Sequence, residues 1–115
     1  MATQQQIPGL TRTDLQQQDL SVPGREMIQN RVDIDPEAPP IRHWHPGEEI
    51  IYVLEGTLEY EIEGDSPTTL TVHAGEALMV PAEAVHAVRN VGDGHAAELA
   101  TYIVEKGKPF ITAAD

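Results

Sequence analysis

Turn-forming clusters recur so closely along this chain that only short strands fit between them. Asp35-Pro36-Glu37-Ala38-Pro39-Pro40, Glu55-Gly56, Gly64-Asp65-Ser66-Pro67, Ala74-Gly75-Glu76, Gly92-Asp93-Gly94 and Lys106-Gly107-Lys108-Pro109 all interrupt regular structure. The clearest stretch between them, Thr57 to Glu63, has the two-residue period of a strand. It sets Leu58, Tyr60 and Ile62 on one face and Thr57, Glu59, Glu61 and Glu63 on the other. Strands are predicted over 25–34, 50–54, 57–63, 68–72, 77–80, 85–91 and 97–104. No amphipathic helix is predicted after residue 25, and residues 11–19 hold one helical turn at most. The expected class is all-β, a sandwich or barrel.

The 115 residues suit one domain. Residues 1–24 are polar, Gln-rich and poorly periodic at first, and are expected to be a flexible or swapped N-terminal arm. Residues 25–115 are expected to form the domain. The run from Ile50 to Leu54 is apolar at every position. With Glu49, Ile51 and Val53 facing inward, Ile50, Tyr52 and Leu54 face outward and also need a cover. In so small a domain that cover is expected to be a second copy, packed sheet against sheet as a homodimer.

Composition removes several function classes. The absence of cysteine excludes disulfide stapling, thiolate zinc sites and thiol catalysis. A formal net charge of −12 repels phosphate backbones and anionic lipid, so neither nucleic acid nor membrane is an expected partner. No stretch has the length of a membrane span. The start, MATQQQIPGL, lacks the apolar core of a secretory signal, and a cytoplasmic location is expected.

The chemistry-bearing residues are His43, His45, Glu49 and His86. On an extended chain, His43 and His45 share a face and Trp44 points the other way. Glu49 returns to that face after Pro46-Gly47, read as a turn. His86 starts a distant strand and supplies a fourth group. Three imidazoles and a carboxylate suit one divalent transition metal ion, Fe, Mn, Ni, Co, Cu or Zn. Octahedral geometry would leave two positions open for water, oxygen or substrate. His73 and His95 are read as exposed, and Gly56 and Gly75 as turn residues with positive φ. The cavity is expected to be largely apolar, lined by Ile41, Ile51, Val53, Met79 and Val88. Arg42 and Arg89 are read as outward, leaving no cation to hold a substrate carboxylate.

His43-Trp44-His45-Pro46-Gly47-Glu48-Glu49 followed by Gly56 resembles the first motif of the cupin superfamily, H-x-H-x3-E-x6-G. Gly75, Pro81, His86 and Asn90 resemble the second, G-x5-P-x-G-x2-H-x3-N, except that Glu83 stands where the motif has glycine. The motifs cover residues 43–90, and flanking strands extend the likeness to about 25–105. The resemblance implies a cupin jelly-roll β-barrel, or double-stranded β-helix, with His43, His45, Glu49 and His86 as metal ligands. It implies a small-molecule ligand or substrate, and a metalloenzyme such as a dioxygenase acting on a small phenolic or enolisable compound. Glu49 would remain a ligand or act as the catalytic base. The alternatives are a non-catalytic metal-dependent binding or sensor protein, and a decarboxylase- or isomerase-type cupin. At Glu83 the loop is expected to take a different turn, leaving Glu83 exposed or over the site.

Overall fold

The computed structural model describes residues 7–115. Ten strands follow in order: β1 (Leu10–Asp19), β2 (Arg25–Ile34), β3 (His43–Trp44), β4 (Gly47–Glu55), β5 (Thr57–Ile62), β6 (Thr68–His73), β7 (Ala77–Val80), β8 (His86–Asn90), β9 (Ala96–Glu105) and β10 (Thr112–Ala113). They form two five-stranded sheets, β1-β2-β9-β4-β7 and β10-β3-β8-β5-β6. Every pairing is antiparallel. The expected all-β jelly roll is therefore present. Among the described residues, no helix is long and apolar enough to cross a membrane.

Local pattern accounts for most of this. In β5 the alternation buries Leu58 and Tyr60 completely. In β4 it buries Ile51 and Val53 and leaves Ile50, Tyr52 and Leu54 exposed. The core lies between the sheets, where Val32, Ile34, Ile51 and Val53 meet Leu58, Tyr60 and Val72. Full burial of each large apolar side chain stabilises the fold by about 1.5–3 kcal/mol.

Register corrects three expectations. Glu49 pairs with Val80 and Ile50 with Met79, and directly paired residues share a face. Val80 is therefore inward, and Met79, expected in the cavity, is outward and 56% exposed. Ile41 precedes β3 and is also exposed. Gly47 is not in a turn but opens β4. A Cβ there would sit 1.8 Å from the Ile103 carbonyl oxygen, so only glycine lets β4 and β9 approach. Gly56 and Gly75 have the positive φ expected of them, 78° and 89°.

The segment before β2 carries more structure than its composition suggested. Residues 11–19 form strand rather than a helical turn, and β1 pairs with β2 from Leu10↔Ile34 to Asp19↔Glu26, with a bulge at Leu15. Its polar residues sit at a sheet edge, where charged and amide side chains discourage further pairing. Of the expected arm, residues 1–6 lie outside the described residues.

Candidate metal centre

His43 and His86 are register partners across β3 and β8, so both imidazoles enter the barrel from one sheet. His45 lies at the bend where the chain leaves β3 for the other sheet, and Glu49 projects inward from β4. One ring nitrogen from each of His43, His45 and His86 lies within 4.8 Å of the other two. Glu49 Oε1 is 3.0 Å from His86 Nε2 and 3.5 Å from His45 Nε2. All four predicted residues thus converge, three as a compact cluster and Glu49 against two of them. Glu48, its neighbour, takes the outward parity.

Each ring is oriented by a backbone carbonyl. His43 Nδ1 lies 2.7 Å from the Ile41 oxygen, His45 Nδ1 2.9 Å from that of Phe110, and His86 Nδ1 2.9 Å from that of Ala84. A carbonyl only accepts, so Nδ1 carries the proton in all three rings. The lone pair of each neutral ring is left on Nε2, the arrangement a metal-ligating histidine needs. His45 Nε2 is buried and has no hydrogen-bond partner. The donor set therefore fits a divalent transition ion.

Electrostatics point the same way. Burial, reinforced by the charge of His86, lowers the His43 pKa to about 4. Burial likewise lowers that of His45. For Glu49, burial favours the neutral acid, but the His86 hydrogen bond and the nearby imidazoles outweigh it and hold the pKa down. Burial opposes charge on His86 too, yet the Glu49 hydrogen bond and charge raise its pKa. Glu49 and His86 thus each favour the other's charged form, and a cation at this place would balance the same carboxylate.

The interior beyond the cluster is not largely apolar. Tyr102 packs on His45 with ring centroids 4.6 Å apart, and Phe110 lies beside both, 5.2 Å from His45 and 4.6 Å from Tyr102. The Tyr60 hydroxyl donates to Glu98 Oε1 at 2.6 Å. Glu98 is almost fully buried, and burial together with the charge of Glu49 pushes its pKa up to about 8. Asn30 is also buried and inward. These polar residues were missed, although parity offered a signal. Glu98 shares its face with Ala96, Ala100 and Tyr102, and Asn30 shares its face with Ile28, Val32 and Ile34. A polar residue on an otherwise buried face is the more informative observation. Phe110 gave no such signal, because its role depends on the chain's end returning along β3.

Other residues behave as structural elements. Asn90 Nδ2 donates to the Ile34 and Gly94 carbonyls, and its Oδ1 accepts from Gly92 N–H. His73 and His95 are exposed. Arg42 and Arg89 are outward and bonded to Glu63 and Glu59. Glu83 is exposed with φ 63°, in the left-handed region that glycine adopts without strain. Its N–H donates to the His45 carbonyl at 3.0 Å, and this contact holds the loop in place.

Comparison with known proteins agrees with this geometry. The chain is 44% identical over 55 residues to the polyketide synthase CurC of Streptomyces cyaneus, a match covering 47% of this chain and 34% of that protein. It is 40% identical over 75 residues to germin-like protein 1-1 of Oryza sativa subsp. japonica, covering 63% and 35%. The chain thus spans about a third of the length of these curated relatives. Among solved structures, it superposes on an oxalate oxidase in complex with the substrate analogue glycolate with a TM-score of 0.69 and 30% identity. That match covers 90% of this chain and 54% of the other. The oxalate decarboxylase formate complex of Lactobacillus farciminis shares the fold at a TM-score of 0.67 and 23% identity, covering 76% and 26%. The family model described as Cupin domain matches residues 30–104, well over half of the sequence, and the chain belongs to the cupin family.

Proposed function

We propose that this cupin binds one divalent transition metal ion through His43, His45, Glu49 and His86 and acts on a small organic molecule beside it. The observation that carries this reading is the set of three Nδ1–H groups committed to backbone carbonyls, which leaves Nε2 of all three rings for a metal, with the Glu49 carboxylate against those of His86 and His45. When bound, such an ion supplies Lewis acidity and, for Fe, Mn or Cu, one-electron chemistry. The chain's own residues orient and shield the reaction. Tyr102 and Phe110 wall the site against water, and Glu49 stands 3.0 Å from His86 Nε2, within reach of a proton there. The lead activity is a dioxygenase-type or oxalate-oxidase-type oxidation of a small phenolic, enolisable or carboxylic compound. A decarboxylation is the second reading.

The outer face of β4 supports a homodimer. Ile50, Tyr52, Leu54 and Met79 are all exposed there, and Leu99 and Ile103 of β9 lie alongside. A contiguous apolar patch of this kind marks an interaction surface.

Metal analysis after reconstitution is the first test. One equivalent is expected in the wild type and under about a tenth in His86→Ala, with the fold retained; a full equivalent in that variant would remove His86 from the ligand set. Oxygen uptake and carbon dioxide release with catechols, flavonols, diketones and oxalate then separate oxidation from decarboxylation. Turnover of none of these by the Fe, Mn, Ni or Co forms would favour the non-catalytic binding reading.

A further inference from the structure

We infer that Arg12 and Asn30 form an anion subsite inside the barrel beside the histidine cluster, and that the molecule held there carries a carboxylate. The location of the subsite takes the proposed metal centre as given; its chemistry rests on separate observations. Asn30 is only 1% exposed, and neither its Nδ2 nor its Oδ1 has a partner. Buried amides are almost always satisfied, so one with both ends free points to a ligand that satisfies it. Its row across the sheet runs Asn30, Ala100, Ile51, so the residue beside the amide is small.

Arg12 comes from β1. It pairs with Val32, which faces the core, so its side chain starts on the inner face. Its Nε is buried without a partner. Its row, Arg12-Val32-Glu98-Val53, is the same-face row next to that of Asn30. Glu98, the carboxylate in its row, accepts the Tyr60 hydroxyl through Oε1 and makes no ion pair with Arg12 among the described residues. A divalent ion with ionised Glu49 and three neutral imidazoles leaves one positive charge, and Arg12 adds a second. Arg12 is half-buried, and positive charge in excess at such a place favours an anion. A carboxylate suits both groups, since it accepts from the guanidinium fork and from the Asn30 amide together.

The test uses zinc-loaded full-length protein, titrated with acetate and benzoate and with the uncharged acetamide and benzamide. Calorimetry gives affinities, and side-chain amide resonances report on Asn30. Both acids are expected to bind and to shift the Asn30 signal, with the amides about tenfold weaker or more. Arg12→Gln should weaken acid binding by about tenfold or more and leave benzamide unchanged, and Arg12→Lys should recover part of the loss. Asn30→Ala should weaken the acids while leaving the thermal midpoint equal or higher, because no protein partner is lost. A lowered midpoint would make Asn30 structural. Equal binding of acids and amides, or unchanged acid affinity in Arg12→Gln at full metal content, would overturn the subsite. Zinc content is read separately in every variant. Failure of the wild type to hold zinc overturns the metal centre, and the same titration of the metal-free protein then decides the subsite alone.

Discussion

In the sheet β10-β3-β8-β5-β6, Leu58, Tyr60 and Val72 face the core, while Glu59, Glu61, Thr69 and Thr71 share the outer face. In the sheet β1-β2-β9-β4-β7 much of this is reversed. Arg12, Asn30, Glu49 and Glu98 face inward, and Ile50, Tyr52, Leu54 and Met79 face out. The first arrangement is what burial of apolar surface dictates for a solvated sheet. The second departs from it on both faces. Polar groups inside cost desolvation unless a ligand or ion satisfies them, and apolar groups outside stay exposed unless a partner covers them. The first sheet mainly stabilises the fold, apart from its histidine end; the second bears most of what the protein is proposed to bind.

The sharpest way to break this contrast is Gly47→Ala. The new methyl carbon would lie 1.8 Å from the Ile103 carbonyl oxygen and force β4 from β9. A loss of more than about 4 kcal/mol is expected in urea unfolding, enough to unfold a domain of this size. Next come matched truncations in the two sheets. Leu58→Ala, on the inner face of the ordinary sheet, should cost about 2–5 kcal/mol. Ile50→Ala, on the outer face of the reversed sheet, should cost under about 0.5 kcal/mol in a monomer. A larger, concentration-dependent loss would mean that a second copy covers that face.

Smaller effects probe the links between the sheets. Tyr60→Phe removes the one hydroxyl bonded to Glu98 Oε1 across the core, and should cost about 1–2 kcal/mol in thermal unfolding. Glu83→Gly should stabilise by up to about 1 kcal/mol, because it relieves a left-handed residue on the crossing from β7 to β8. The smallest effect is one of pH. His95 bonds Asp35 through Nδ1 at 2.9 Å and Asp33 through Nε2 at 2.7 Å, and these hydrogen bonds raise its pKa. The folded protein therefore holds this proton more tightly than the unfolded chain. The resulting stability is fully present below the ordinary histidine pKa and is lost as pH rises through the raised value. His95→Gln should flatten that slope, measured as the thermal midpoint against pH.

The strands β2 and β4 to β9 were legible because alternation is local. Leu58 and Tyr60 declare their face within six residues. The metal-binding candidates were legible for the same reason, since His43, His45 and Glu49 share a face by counting along one segment. Glu98 and Asn30 stood on readable parities but were passed over. Arg12 was not legible. β1 is polar on both faces, so its alternation does not distinguish inside from outside, and only pairing with β2 turns Arg12 inward.

By itself, the amino-acid sequence determined that the chain is an all-β cupin and which four residues meet. Turn chemistry and two-residue periodicity act between near neighbours and need no partner strand. The tertiary structure decided what depends on register. It turned Val80 inward and Met79 outward, required glycine where β4 meets β9, and let the Phe110 carbonyl orient His45. It also set Arg12 on the inner face, beside Val32. Each of these follows from hydrogen-bonded pairing between segments distant in sequence, where a shift of one residue would exchange the two faces.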